Sequence, residues 1–170
     1  MSNSSLKYLI TVLIVLFFQL MVLNRLNISQ NVLPLIYPIL LLTIVRNING
    51  SLLLLLGFGL GFFIDIFSNT GGAHAAACTV IAFVRPSFLS SIGPMDMGSN
   101  QIKPSILSLG IKKFSAYSLF LLAIHHFIFF LLEVFSFNNF LFTLFRIVIS
   151  LLISWILVMS LQFLFNARKR

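Results

Sequence analysis

Residues 51–67 read SLLLLLGFGLGFFIDIF, seventeen positions with a single charge, Asp65. A helix of that length spans about 26 Å, close to the ~30 Å thickness of a bilayer's hydrocarbon core. Turn chemistry closes both ends. Arg46-Asn47-Ile48-Asn49-Gly50 precedes the run and Ser68-Asn69-Thr70-Gly71-Gly72 follows it. Gly57, Gly61 and Asp65 recur every four residues, so they share one face, and Ser68 extends it. Small residues at that spacing let another backbone approach closely. The stretch therefore reads as a membrane helix with a packing stripe, used either within the chain or to bind a partner helix.

The rest of the chain repeats this character. It has 170 residues, 59% of them hydrophobic and only 8% charged, against about 25% charged in soluble domains. Apolar segments cover residues 7–23, 32–45, 51–67, 73–92, 114–135 and 140–165. The expected fold is all-α, one polytopic membrane domain of about six transmembrane helices. Segment 32–45 is short, spanning only ~21 Å as a helix, and holds Pro34 and Pro38, so a short or kinked helix surrounded by protein is expected. Segment 73–92 reaches full length only through Pro86 and should kink there. Residues 93–113, with Pro94, Gly98, Pro104 and Gly110, read as a loop carrying a short interfacial helix at 106–111. Lys7 followed by an apolar run resembles a secretion signal, but the run is long and no small-residue cleavage site follows it, so it should stay attached.

Charge sets the expected orientation. With the N-terminus inside, Lys7, Arg46, Arg85, Lys103, Lys112, Lys113, Arg168, Lys169 and Arg170 fall on the inner side and Arg25 alone on the outer side. Such a bias favours both termini in the cytoplasm. It also accounts for the net charge of +8 without nucleic acid. Phe supplies 20 of the aromatic residues, which suits contact with the lipid bilayer rather than base stacking. The single cysteine, Cys78, excludes an intrachain disulfide and any multi-cysteine metal site.

Ionisable residues within the apolar segments each need an account. Asp65 either caps the adjoining loop or next helix, or serves as an ion or substrate ligand. His74 opens the fourth segment after Gly71-Gly72, close enough to Asp65 for a structural polar pair. Cys78 lies one turn beyond His74, which leaves a Cys–His dyad conceivable. A packing role for Cys78 is the simpler reading. His125 and His126 diverge as neighbours, and His126 is ~10 Å along the axis from Glu133, so these read as structural rather than metal-binding. Glu133 and Arg146 flank the turn at Asn138-Asn139 at matched depth, which predicts an ion pair across a hairpin. Arg146 shares a face with Ser150 and Ser154, a polar stripe suited to helix contact. No phosphate-binding loop, zinc signature or nucleophile elbow is present. The expectation is a non-enzyme without cofactor or metal.

The stretch from Gly57 through Asp65, Gly72 and His74, with Ala82-Phe83-Val84-Arg85-Pro86, resembles the bacterial rod shape-determining protein MreD. Over residues 57–86 it has that family's Gly-rich helix, Asp, Gly turn and small-residue helix opened by His-Ala. Elsewhere the likeness is one of length, hydropathy and six-helix layout. The resemblance implies a scaffold in the bacterial inner membrane within the cell-elongation, peptidoglycan-synthesis machinery. It implies a bitopic MreC-like partner, with the MreB filament, RodA and a penicillin-binding transpeptidase nearby. It also implies a fold like the S-components of vitamin transporters. The alternative is a solute-binding or transport subunit with an outward-facing pocket.

Reporter fusions at Thr70, Asn100, Asn138 and Arg170 should read outside, inside, outside and inside. An extracytoplasmic signal at Asn100 would overturn the orientation.

Overall fold

A computed structural model describes residues 3–25, 32–92, 103–135 and 140–167. Among them the secondary structure is helical, without strands: α1 (Asn3–Met21), α2 (Ile39–Leu42), α3 (Gly50–Ser68), α4 (Ala73–Ile92), α5 (Ile106–Val134) and α6 (Phe140–Ala167). A single 3-10 turn, Leu23–Arg25, follows α1. Five of the helices are long and apolar enough to cross a bilayer; α2 is not. Large apolar side chains such as Leu13, Phe17, Leu55, Phe83, Leu141 and Ile156 are exposed. An outer surface of that kind is stable only in lipid, so the chain is an all-α polytopic membrane protein.

The helix ends follow local chemistry. Asn49 caps α3, its side chain accepting from the Ser51 N–H at 2.9 Å. Asn69 ends α3 in the left-handed region at φ 54°, a conformation Asn tolerates. Gly110 has φ 78° and ψ 160° inside α5, setting its first turn off from the remainder. Only glycine adopts those angles without strain. The short helix expected at 106–111 is present: it begins at Ile106 under a Ser105–Ser108 capping box and runs, across the break at Gly110, into the helix expected from 114. The rest of the expected inner loop, 93–102, and the expected turn at 136–139 lie outside the described residues. Helix α4 continues through Pro86 as one helix.

The larger correction concerns residues 32–45, expected as a transmembrane helix. Only Ile39–Leu42 is α-helical; residues 32–36 have no regular secondary structure. The two prolines explain this, since neither can donate a backbone bond and each disfavours helix in the residue before it. Even so, the segment runs from one end of the bundle to the other. Leu33 lies at the end where Asn24, beyond α1, bonds Ser68, the last residue of α3, at 2.9 Å. Ile44 meets Arg85, far along α4, and α3 begins at Gly50. Among the described residues the chain thus runs the length of the bundle six times, five times as a long helix and once mostly without helix.

Every residue from Pro34 to Leu42 is buried, and side chains take over the bonds a helix would have made. The Gln19 carbonyl accepts from the Ile36 N–H at 2.8 Å and the Tyr37 N–H at 3.4 Å, while its amide donates to the Pro34 carbonyl at 3.2 Å. Ser150 and Ser154 accept from the N–H groups of Leu33 and Leu35 at 3.1 and 2.8 Å. Tyr117 donates to the Leu42 carbonyl at 2.8 Å, and Arg85 donates to the Ile44 carbonyl and, at 3.0 Å, to the Tyr117 hydroxyl. Helices α1, α4, α5 and α6 therefore all supply partners to one strip of backbone.

Gln19→Leu removes three bonds to this strip and leaves polar groups unpaired in an apolar interior. We expect a loss of about 3 kcal/mol or more, read as a large fall in Tm of the detergent-solubilised protein. An unchanged Tm would show that the strip does not depend on Gln19.

Candidate functional site

The α3–α4 hairpin brings the Gly57–Gly61–Asp65 face against α4. A Cβ at Gly57 would lie 2.9 Å from both the Cys78 carbonyl oxygen and the Ala82 Cβ. At Gly61 it would overlap the His74 carbonyl and Ala75 backbone. Both glycines are consumed by close packing inside the chain. Ser150 and Ser154, bonded to Leu33 and Leu35, are also internal. These four residues are therefore helix-packing and backbone-holding positions, the first of the two roles expected for them rather than partner binding.

Asp65 lies one turn above Gly61. Its Oδ1 accepts from the Thr70 hydroxyl at 2.5 Å and the His74 N–H at 3.0 Å, and its Oδ2 from the Ala75 N–H at 2.8 Å. It caps the first turn of α4, whose N–H groups have no helical partners and whose dipole favours an anion. The expected Asp65–His74 side-chain pair does not form. Asp65 takes the backbone of His74, and the His74 ring turns to Tyr37, which no spacing in the sequence marks out.

Tyr37 sits between Pro34 and Pro38 in the non-helical crossing, fully buried. Its hydroxyl lies 2.8 Å from His74 Nδ1 and 2.7 Å from His125 Nε2. The Cys78 thiol donates to that hydroxyl at 3.7 Å, and His74 stacks on Phe129 with centroids 4.2 Å apart. His126 forms a separate link. Its Nδ1 faces the Leu122 carbonyl at 2.8 Å and so must carry the proton, which leaves Nε2 to accept from Ser154 at 3.0 Å. Ser154 thus donates to His126 while accepting from Leu35. Among the described residues, no group of three or more His, Cys, Asp and Glu side chains is placed to hold a metal.

Glu133 and Arg146 meet across the α5–α6 hairpin, with Nη2 3.2 Å from Oε2. The Arg146 guanidinium also lies over Phe130, 4.9 Å from its centroid. Arg85, counted from sequence among the surface cations, is instead 1% exposed and bonded within the bundle. It therefore contributes little to the charge asymmetry. Gln19, Tyr37 and Tyr117 are among the interior polar residues that no spacing in the sequence marks out. Gln19 had one visible signal, being the only amide between Tyr8 and Leu23.

Two cavities flank the central strip. At the end carrying Asn24 and Ser68, a cavity of about 400 Å³ has mixed walls, with Arg25, Thr70, His74 and Glu133 alongside Leu20 and Phe129. At the other end a groove of about 350 Å³ is almost wholly apolar, with Tyr8 and Lys103 its polar members. The chain matches no protein-family model, no curated protein and no solved structure.

Two outcomes test this geometry. Asp65→Asn supplies one acceptor oxygen where two are in use, so it should destabilise by about 1–3 kcal/mol, measured by thermal unfolding in detergent. A neutral effect would remove the cap from the account. Glu133→Gln and Arg146→Met should each lower Tm, and the double variant should recover part of the loss through a non-zero coupling energy. Strictly additive losses would mean that the pair contributes nothing.

Proposed function

We propose that this protein is a non-enzymatic membrane scaffold of the MreD type, serving bacterial cell elongation by docking a bitopic MreC-like partner in the inner membrane. Both termini are cytoplasmic in this reading, and the Asn24–Ser68–Glu133 end faces outward. The MreB filament, RodA and a penicillin-binding transpeptidase are the further members of its assembly. The observation that carries the scaffold reading is the use made of the interior polar groups. Gln19, Asp65, Arg85, Tyr117, His126, Ser150 and Ser154 all bond the chain's own backbone, directed at holding shape rather than at a reacting atom. The assignment to cell elongation rests on the resemblance at residues 57–86. With the Gly and Ser faces occupied internally, the docking surface belongs to the lipid-facing flanks.

A second reading, a solute-binding subunit, is favoured by the 400 Å³ cavity, which falls within the ~300–1,000 Å³ range of small-molecule sites. Purification from native membranes in mild detergent separates the two. The scaffold reading expects a single-pass protein in stoichiometric amount. Recovery of the chain alone with a bound small molecule would overturn it in favour of the solute reading.

A further inference from the structure

The polar groups lining the 400 Å³ cavity are unequal in what they have left to offer. Asn24 is engaged on both sides, accepting from Gln19 at 2.8 Å and donating to Ser68 at 2.9 Å. The Thr70 hydroxyl gives its proton to Asp65. Glu133 gives Oε2 to Arg146 and keeps Oε1 as an acceptor on the wall. Facing it are Arg25, exposed at the rim, the proton of the Ser68 hydroxyl, and His74 Nε2. His74 is 1% exposed, and of its ring nitrogens only Nδ1 has a hydrogen bond among the described residues.

Which way His74 Nε2 acts is decided two side chains away. The Tyr37 hydroxyl has one proton for two histidine nitrogens, so one ring accepts from it and the other donates to it. His125 Nδ1 is buried without a partner among the described residues. An orphaned N–H donor is the costlier arrangement, since buried unpaired donors are rarer than under-used acceptors. His125 therefore carries its proton on Nε2 and gives it to Tyr37, and Tyr37 gives its own to His74 Nδ1. Neutral His74 is left with its proton on Nε2, a donor at the cavity wall. Arg25, Ser68 and His74 then give three donors against one Glu133 acceptor, one of the donors a guanidinium suited to carboxylate or phosphate, beside the apolar surfaces of Leu20, Leu33, Phe67 and Phe129.

We propose that this cavity binds a small amphipathic anion, a carboxylate or phosphate on an apolar body. The proposal rests on the solute-binding reading for its location and supplies the class of ligand. Arg25 meets the charge, His74 and Ser68 offer neutral donors, and the aromatic wall takes the body.

The test uses the full-length protein in phosphatidylcholine nanodiscs, with 4-phenylbutyrate as probe and 4-phenylbutylamine as its cationic counterpart. The carboxylate should raise Tm saturably and the amine should not. Arg25→Gln, at an exposed position, should leave the unliganded Tm unchanged and weaken the carboxylate about tenfold or more. His74→Phe, which keeps a ring beside Phe129, should weaken it as well. Equal effects of amine and carboxylate, no response to either, or wild-type affinity in Arg25→Gln would each overturn the proposal. Adding phosphatidylglycerol distinguishes the source of the anion. Unchanged probe affinity supports a soluble ligand, and competition assigns the site to a lipid headgroup instead. Loss of probe binding with the single-pass partner still recovered from native membranes would refute this inference alone and leave the scaffold standing.

Discussion

Backbone N–H and C=O groups at membrane depth must find partners inside the protein, because the hydrocarbon offers none. In α1, α3, α4, α5 and α6 the helix meets that demand locally. In residues 32–44, where only Ile39–Leu42 is helical, it cannot, and the rest of the architecture is arranged around the deficit. Gln19 of α1, Ser150 and Ser154 of α6, Tyr117 of α5 and Arg85 of α4 all bond this one strip. The prolines reduce the demand, since two positions carry no N–H to satisfy. The strip then acts as a central post that four helices grip through hydrogen bonds, in a setting where apolar burial does little to drive helices together.

The α3–α4 hairpin solves a second problem at one side of that post. Glycines at 57 and 61 let the two backbones close to near contact, and that approach brings Asp65 within reach of the first turn of α4. One carboxylate then serves Thr70, His74 and Ala75. Because α4 is held so closely, His74 is aimed inward at Tyr37 and Phe129. The glycine stripe, the cap and the buried ring chain are thus successive consequences of one close approach.

The same economy shapes the interior polar groups. Most carry two roles at once: Ser154 accepts from Leu35 and donates to His126, and Tyr117 accepts from Arg85 and donates to Leu42. Networks of this kind are strong when complete and costly when broken. His74 stands apart, with one nitrogen engaged and the other at a cavity wall. That asymmetry distinguishes this end of the bundle from the apolar groove beyond Ile44.

Sequence by itself determined the features that depend on local spacing and composition. Low charge and long apolar runs place the chain in a membrane. Four-residue spacing puts Gly57, Gly61 and Asp65 on one helix face. Nearly equal distances from the expected turn at Asn138-Asn139 put Glu133 opposite Arg146. Tertiary structure decided how residues 32–45 cross, because a proline-bearing segment too short for a helix has no local solution to its hydrogen bonding. It also decided the partners of Gln19, Tyr37, Ser150, Ser154 and His74. Those bonds join residues from fifteen to well over a hundred positions apart, so no periodicity encodes them. Arg85 shows the limit most plainly: in sequence it is one more cation near a helix end, and only the packing of α2 and α5 beside α4 turns it into a buried donor for Ile44 and Tyr117.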